Sequence, residues 1–177
     1  VAIWIFTRDG TTWSQQAGPL IGTGYTGVSN IYQGQSTSIS GDGNNIVVGG
    51  PGNNSSRGAA WVFVRSGESW SQQAGPLVGT FTTGISQQGE SVSIYGDTIA
   101  IGGWNNFYNR GDVWIFTRDG IVWDQEAGPI HGTGQESSQA NQGKSVSLYK
   151  DKLVFGGASY DNNTGAVWIF TRSNSIW

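Results

Sequence analysis

Few residues in this chain have the type and spacing for chemistry. His131 is the only histidine. A single imidazole in a loop reads as surface, because no Ser-His-Asp set and no paired carboxylates recur beside it to make it a general base. Arg110-Gly111-Asp112 spells a cell-attachment tripeptide. The same frame recurs as Arg57-Gly58-Ala59 and Thr164-Gly165-Ala166, so its glycine reads as structural and only Asp112 is new. Gly22-Thr23-Gly24-Tyr25-Thr26-Gly27 has the form of a dinucleotide fingerprint. That motif works only between a strand and a helix, and no helix signal follows it here. Cysteine is absent, which excludes disulfides, thiolate metal sites and a cysteine nucleophile. No catalytic set emerges, and a non-enzymatic role is expected.

Residues suited to contact stand out better. Trp104, Asn105, Asn106, Phe107 and Tyr108 form an aromatic and amide-rich loop. The counterparts of Trp104 are Pro51 and Ala158, so the repeat described below has no need of an indole there. A loop with aromatics beyond the structural requirement is the candidate contact surface. Asn53-Asn54-Ser55, Asn54-Ser55-Ser56 and Asn162-Asn163-Thr164 have the form of N-glycosylation acceptors, making Asn53, Asn54 and Asn162 candidate sites in equivalent loops.

These loops are placed by a repeat. Trp4-Ile5-Phe6-Thr7-Arg8 returns as Trp61-Val62-Phe63-Val64-Arg65, Trp114-Ile115-Phe116-Thr117-Arg118 and Trp168-Ile169-Phe170-Thr171-Arg172. Successive copies are 57, 53 and 54 residues apart (61−4, 114−61, 168−114). A second tryptophan follows each copy at a fixed offset, at Trp13, Trp70, Trp123 and Trp177. A period of this size carried by strands marks a propeller-like array.

Each unit reads as four strands. Gly34-Gln35-Ser36-Thr37-Ser38-Ile39 recurs at Gly89 and Gly143 and alternates small with β-branched residues, as a short strand in a crowded place does. Ile46-Val47-Val48-Gly49-Gly50 and its copies are apolar at consecutive positions, which requires cover on both faces. The tryptophan strand is apolar at both parities as well. Asp9-Gly10 and Asp119-Gly120 then signal tight hairpins. Trp70-Ser71-Gln72-Gln73-Ala74-Gly75-Pro76 follows, its alternation and proline marking an edge strand.

The expected fold is therefore all-β: four-stranded antiparallel meanders stacked as β-propeller blades. The whole of 1–177 reads as one propeller segment. Its repeats run over about 1–33 (third and fourth strands of a blade), 34–88, 89–142 and 143–177 (a partial blade). That is about three blades, an incomplete ring on its own, whereas closed propellers typically use 4–8. The chain reads as a processed product or an excerpt of something longer. Completion is expected from further repeats or from another copy of the chain.

Composition narrows the partners. Charged residues are 12% of the chain, about half the usual share, and the net charge is −3. The nine Lys and Arg are scattered, which argues against nucleic acid. No apolar run approaches the roughly 20 residues of a membrane-spanning helix, so membrane insertion is not expected.

Gly41-Asp42-Gly43-Asn44-Asn45-Ile46-Val47-Val48-Gly49-Gly50-Pro51-Gly52, followed by Arg57-Gly58-Ala59-Ala60-Trp61-Val62-Phe63, resembles the FG-GAP repeat of integrin α-subunit propellers. The trailing Trp13-Ser14-Gln15-Gln16 and Trp70-Ser71-Gln72-Gln73 are similar to its bacterial and protist variety. The resemblance implies a propeller used at the cell surface or outside the cell, for recognition or as scaffold. Many such repeats hold calcium between their first two strands. Here the turns at Asp42, Asp97 and Asp151 carry a single acid each, against the six to eight oxygens calcium takes, so no cofactor is expected. The functional expectation is a structural or interaction module with itself, further repeats or a protein ligand as partner. The alternative is a carbohydrate-binding propeller that takes a glycan on its aromatic and amide loops.

Overall fold

A computed structural model of the chain describes residues 2–27, 30–134 and 139–177. It is all-β, built from antiparallel sheets in sequence order that form an open array of blade-like units. Blade I contributes two strands, β1 (Ile3–Asp9) and β2 (Thr12–Leu20). Blade II has four, β3 (Ser36–Ile39), β4 (Asn45–Gly50), β5 (Ala59–Ser66) and β6 (Ser69–Leu77). Blade III repeats them as β7 (Ser91–Tyr95), β8 (Thr98–Gly103), β9 (Asp112–Asp119) and β10 (Val122–Ile130). Blade IV has β11 (Gln142–Tyr149), β12 (Lys152–Gly157) and β13 (Ala166–Thr171). Within each sheet every strand pairs with its sequence neighbour, as a meander must.

The double-sided apolar strands explain the stacking. Successive side chains point to opposite faces, and each face meets a different blade. Trp61 and Phe63 face back, packing with Ile3 and Ile5 of blade I. Ala60 and Val62 face forward onto Trp114 and Phe116 of blade III. Val113 and Ile115 continue the series, meeting Phe155, Trp168 and Phe170 of blade IV. One tryptophan phrase thus supplies half of two interfaces, and Trp61 and Trp114 are fully buried.

The paired glycines set how closely blades approach. A Cβ at Gly49 would run into the carbonyl of Gly89 in the next blade, and one at Gly102 into that of Gly143. The innermost strands lie against each other there. Ser36 Oγ donates to the Gly89 carbonyl (2.8 Å) and Ser91 Oγ to that of Gly143 (2.7 Å). Two residues further on, Ile94 N donates to Ser38 Oγ (3.2 Å) and Leu148 N to Ser93 Oγ (3.0 Å). The alternating serines of the first strand are therefore connectors between blades.

The loop before each tryptophan strand differs from the irregular segment its polar composition suggests. It is a compact turn, built alike three times, with consecutive residues in left-handed backbone: Asn54, Ser55 and Ser56, then Phe107, Tyr108 and Asn109, then Asp161, Asn162 and Asn163. Five of these nine are asparagine or aspartate, the types that reach this region at least cost. The turn carbonyls of Ser56 and Arg57 accept from Gln87 N (2.9 Å) and Gln88 N (3.0 Å) of the next blade.

Candidate functional site

Most of the conspicuous polar residues are consumed by blade-to-blade bonds. Trp61 Nε1 donates to the Thr23 carbonyl (2.9 Å), Trp114 Nε1 to that of Thr80 (2.9 Å) and Trp168 Nε1 to that of Thr133 (3.1 Å). The glycine before each threonine lies on the same indole, where a Cβ at Gly22, Gly79 or Gly132 would overlap the ring. Gln33 then clamps Gly22 from both sides, accepting from its N–H (2.7 Å) and donating to its carbonyl (2.8 Å). The glycine pattern at Gly22–Gly27 thus begins with a packing requirement, and among the described residues the next element is the strand β3 rather than a helix.

The Trp-x-Gln-Gln segment is a clasp as well. Trp70 Nε1 donates to Gln16 Oε1 (3.1 Å), Trp123 Nε1 to Gln73 Oε1 (2.9 Å) and Trp177 Nε1 to Glu126 Oε1 (3.1 Å). Each of these three tryptophans reaches the second Gln (or Glu) of the preceding blade. The first glutamine holds the incoming linker: Thr23 N donates to Gln72 Oε1 (2.7 Å) and Thr80 N to Gln125 Oε1 (2.8 Å). The segment is the edge strand of its sheet, as its alternation and proline imply, and its clasp partners lie about a repeat away.

In the Trp104–Tyr108 loop the five residues do not share one surface. Tyr108 is 85% exposed, whereas Asn106 is fully buried. Asn106 Nδ2 donates to Asp112 Oδ2 (2.7 Å), and its Oδ1 accepts from Thr83 N (2.9 Å). Asn106 therefore leaves the expected contact set. Its equivalent Asn53 is buried too, accepting from Thr26 N at 2.8 Å, which corrects its reading as an accessible glycosylation acceptor. Asn54 and Asn162 are exposed. Phe107 lies beneath the Arg110 guanidinium, 4.5 Å from the ring centroid. Trp104 and Asn105 are half-buried, and the Lys144 ammonium sits 4.6 Å from the Trp104 ring centroid.

Asp112 is more deeply engaged than its tripeptide suggests. Its fully buried side chain accepts from Arg110 Nη2 (2.8 and 3.1 Å) and Asn106, and it pairs with His131 Nδ1 (3.0 Å). Burial pushes the carboxyl above the ordinary aspartate range, against the opposing pull of Arg110, Asn106 and His131. Gly111 cannot carry a side chain, because a Cβ would strike the Gln142 backbone. The tripeptide is thus a structural pin, and His131, its side chain 42% exposed, caps it from the surface.

Clefts open between neighbouring blades. One of about 460 Å³ is lined by Ser40, Asp42, Asn45, Tyr95, Asp97 and Arg118. Its charged groups are already occupied: Ser40 Oγ donates to Asp42 (2.5 Å), and Arg118 bonds Asp97 and Asn45. The Ser40 hydroxyl, then the Asn44 backbone N–H, hold the Asp42 carboxyl below its usual range. A second cleft, about 340 Å³, lies between the loops of blades III and IV, with Trp104, Asn109, Asn141, Ser159, Asp161 and Asn162 among its walls. The matching cleft one blade earlier is about 210 Å³ and has Pro51 where this one has Trp104. Among the described residues no group of three His, Cys, Asp or Glu side chains could hold a metal ion, and no helix is long and apolar enough to cross a membrane. Neither the protein-family models nor the curated proteins contain a match to this chain.

Proposed function

We propose that the chain is a non-enzymatic structural or interaction module, part of a propeller-like array completed by further repeats, in the same polypeptide or another. The observation that carries this reading is a pair of unfinished interfaces. On blade I the backward face presents Trp4 at 53% exposure, while its equivalents Trp61 and Trp114 are buried. On blade IV the forward face presents Val167 and Ile169 at 67% and 70%, while their equivalents Val113 and Ile115 are buried. One open face has the aromatic half of the internal joint and the other has the aliphatic half. Contiguous apolar surface of this kind favours association. The resemblance to FG-GAP repeats supports a cell-surface or extracellular setting.

Sedimentation equilibrium tests the reading. Association beyond the 18.9 kDa chain is expected, weakened by Ile169→Lys. A monomer at all concentrations would sink completion by a second chain.

A further inference from the structure

The cleft beside Trp104 has features that blade packing does not explain, and we infer that it binds an uncharged saccharide, free or at the end of a glycan. This deepens the carbohydrate-binding alternative and does not depend on how the array is completed. Three observations lead there.

First, Trp104 lines the cleft, and its indole N–H is buried without an acceptor among the described residues. The repeat's other interior indoles all have one: Trp61, Trp70, Trp114, Trp123, Trp168 and Trp177 each donate to a named oxygen. A buried donor left unpaired costs about 1–3 kcal/mol, and a ligand hydroxyl would remove that cost. Second, the facing walls are amides and a hydroxyl held in place. Asn141 Nδ2 donates to Ser159 Oγ (3.0 Å), and Asn141 N to the Asn109 carbonyl (2.8 Å). Asn109, Asn141 and Asn162 have left-handed backbone. Third, the lining carries one carboxylate, Asp161, and no cation. The Lys144 ammonium beside the cleft, over the Trp104 ring, is already paired with Glu90 (2.7 Å) and so offers an anionic ligand little compensation, and one carboxylate is too few for a metal ion. Donors and acceptors in alternation beside an indole suit a ring of hydroxyls. The volume lies at the low end of small-molecule sites, about 300–1,000 Å³, which fits one or two sugar rings.

The neighbouring blade supplies a control. Its smaller cleft has Pro51 for Trp104, Ser56 for Asn109 and Gln87 for Asn141. That cleft lacks the indole and has the smaller volume, and no saccharide is expected to bind.

The test is a printed array of neutral, sialylated and sulfated glycans, followed by titration of the full chain with the free neutral sugar that binds best. The Trp104 indole N–H resonance, assigned by its loss in Trp104→Phe, is the readout. A saturable shift of that resonance is expected. Trp104→Phe keeps an aromatic ring without the N–H and should weaken binding about tenfold, roughly the loss of one hydrogen bond. Asn162→Ala should weaken it further, and Ser56→Ala should leave it unchanged. Thermal melting of each variant separates lost binding from lost folding. The inference fails if no neutral glycan binds, if only charged glycans bind, or if binding survives both cleft substitutions. Solution mass, measured on the same samples, reports on completion of the array and not on this cleft.

Discussion

Blades III and IV are built from nearly the same words but live in different surroundings. In blade III, Val113 and Ile115 are buried against Phe155 and Trp168, and Gly102 touches the backbone of the next inner strand. In blade IV the equivalent Val167 and Ile169 lie open, and a Cβ on Gly156, the counterpart of Gly102, would meet only Ser145 Oγ of its own sheet closely. The residues are alike, so the difference comes from the neighbour. Each repeat therefore carries the two halves of a joint, and stability belongs to the joint rather than to the single blade, as in quasi-one-dimensional arrays.

The largest test of that contrast is truncation of the tryptophans. Trp114→Ala should cost about 3–5 kcal/mol, the range for a large buried aromatic, whereas Trp4→Ala should cost less than about 1. Urea unfolding of both variants gives the comparison directly, and equal losses would break it. The glycines come next. Gly102→Ala should destabilise by about 1–3 kcal/mol through overpacking against the Gly143 carbonyl, while Gly156→Ala should be nearly neutral. Should Gly156→Ala prove as damaging, the close approach between blades is not what selects glycine.

Smaller effects sharpen the picture. Gln73→Ala removes the acceptor of Trp123 Nε1 and should cost about 1 kcal/mol in thermal or chemical unfolding. No change would mean that the Trp-x-Gln-Gln clasp is incidental. For Asp112 the prediction concerns slope. Burial raises its folded pKa above the unfolded value, so its contribution to stability is fully present below the ordinary range of about 3.9. It is lost progressively as pH rises from there through the raised value. Stability relative to Asp112→Asn should therefore fall over that window, by less than the tryptophan effect. A rise across the same window would show that Arg110, not burial, dominates.

Much of this architecture is legible in the residues themselves. Apolar runs at both parities require cover on two faces, and Asp-Gly pairs locate hairpins, so strand order and stacking follow. Pairing between blades does not. Ser36 and Gly89, or Gln73 and Trp123, are about a repeat apart, and composition cannot say which copy a side chain will meet. Asn53 and Asn106 sit in polar, turn-rich segments where asparagine normally faces water, so their burial had no local signal. The left-handed turns hide for a similar reason, since three non-glycine residues in that region leave only an enrichment in Asn and Asp. The link between His131 and Asp112 spans 19 residues and breaks the repeat at both ends. The departure of Asp112 from the alanine of the other copies was its one visible sign.

The repeated indoles are pins between blades, bonded to protein inside the array and open to solvent at its exposed face. Hydrogen exchange of the indole N–H groups, followed by NMR on the Ile169→Lys variant as a dispersed chain, tests this. Trp61 and Trp114 should exchange slowly and together, and Trp13, 64% exposed on blade I, should exchange fast. Fast exchange at Trp61 and Trp114, or equal protection at Trp13, would contradict the account.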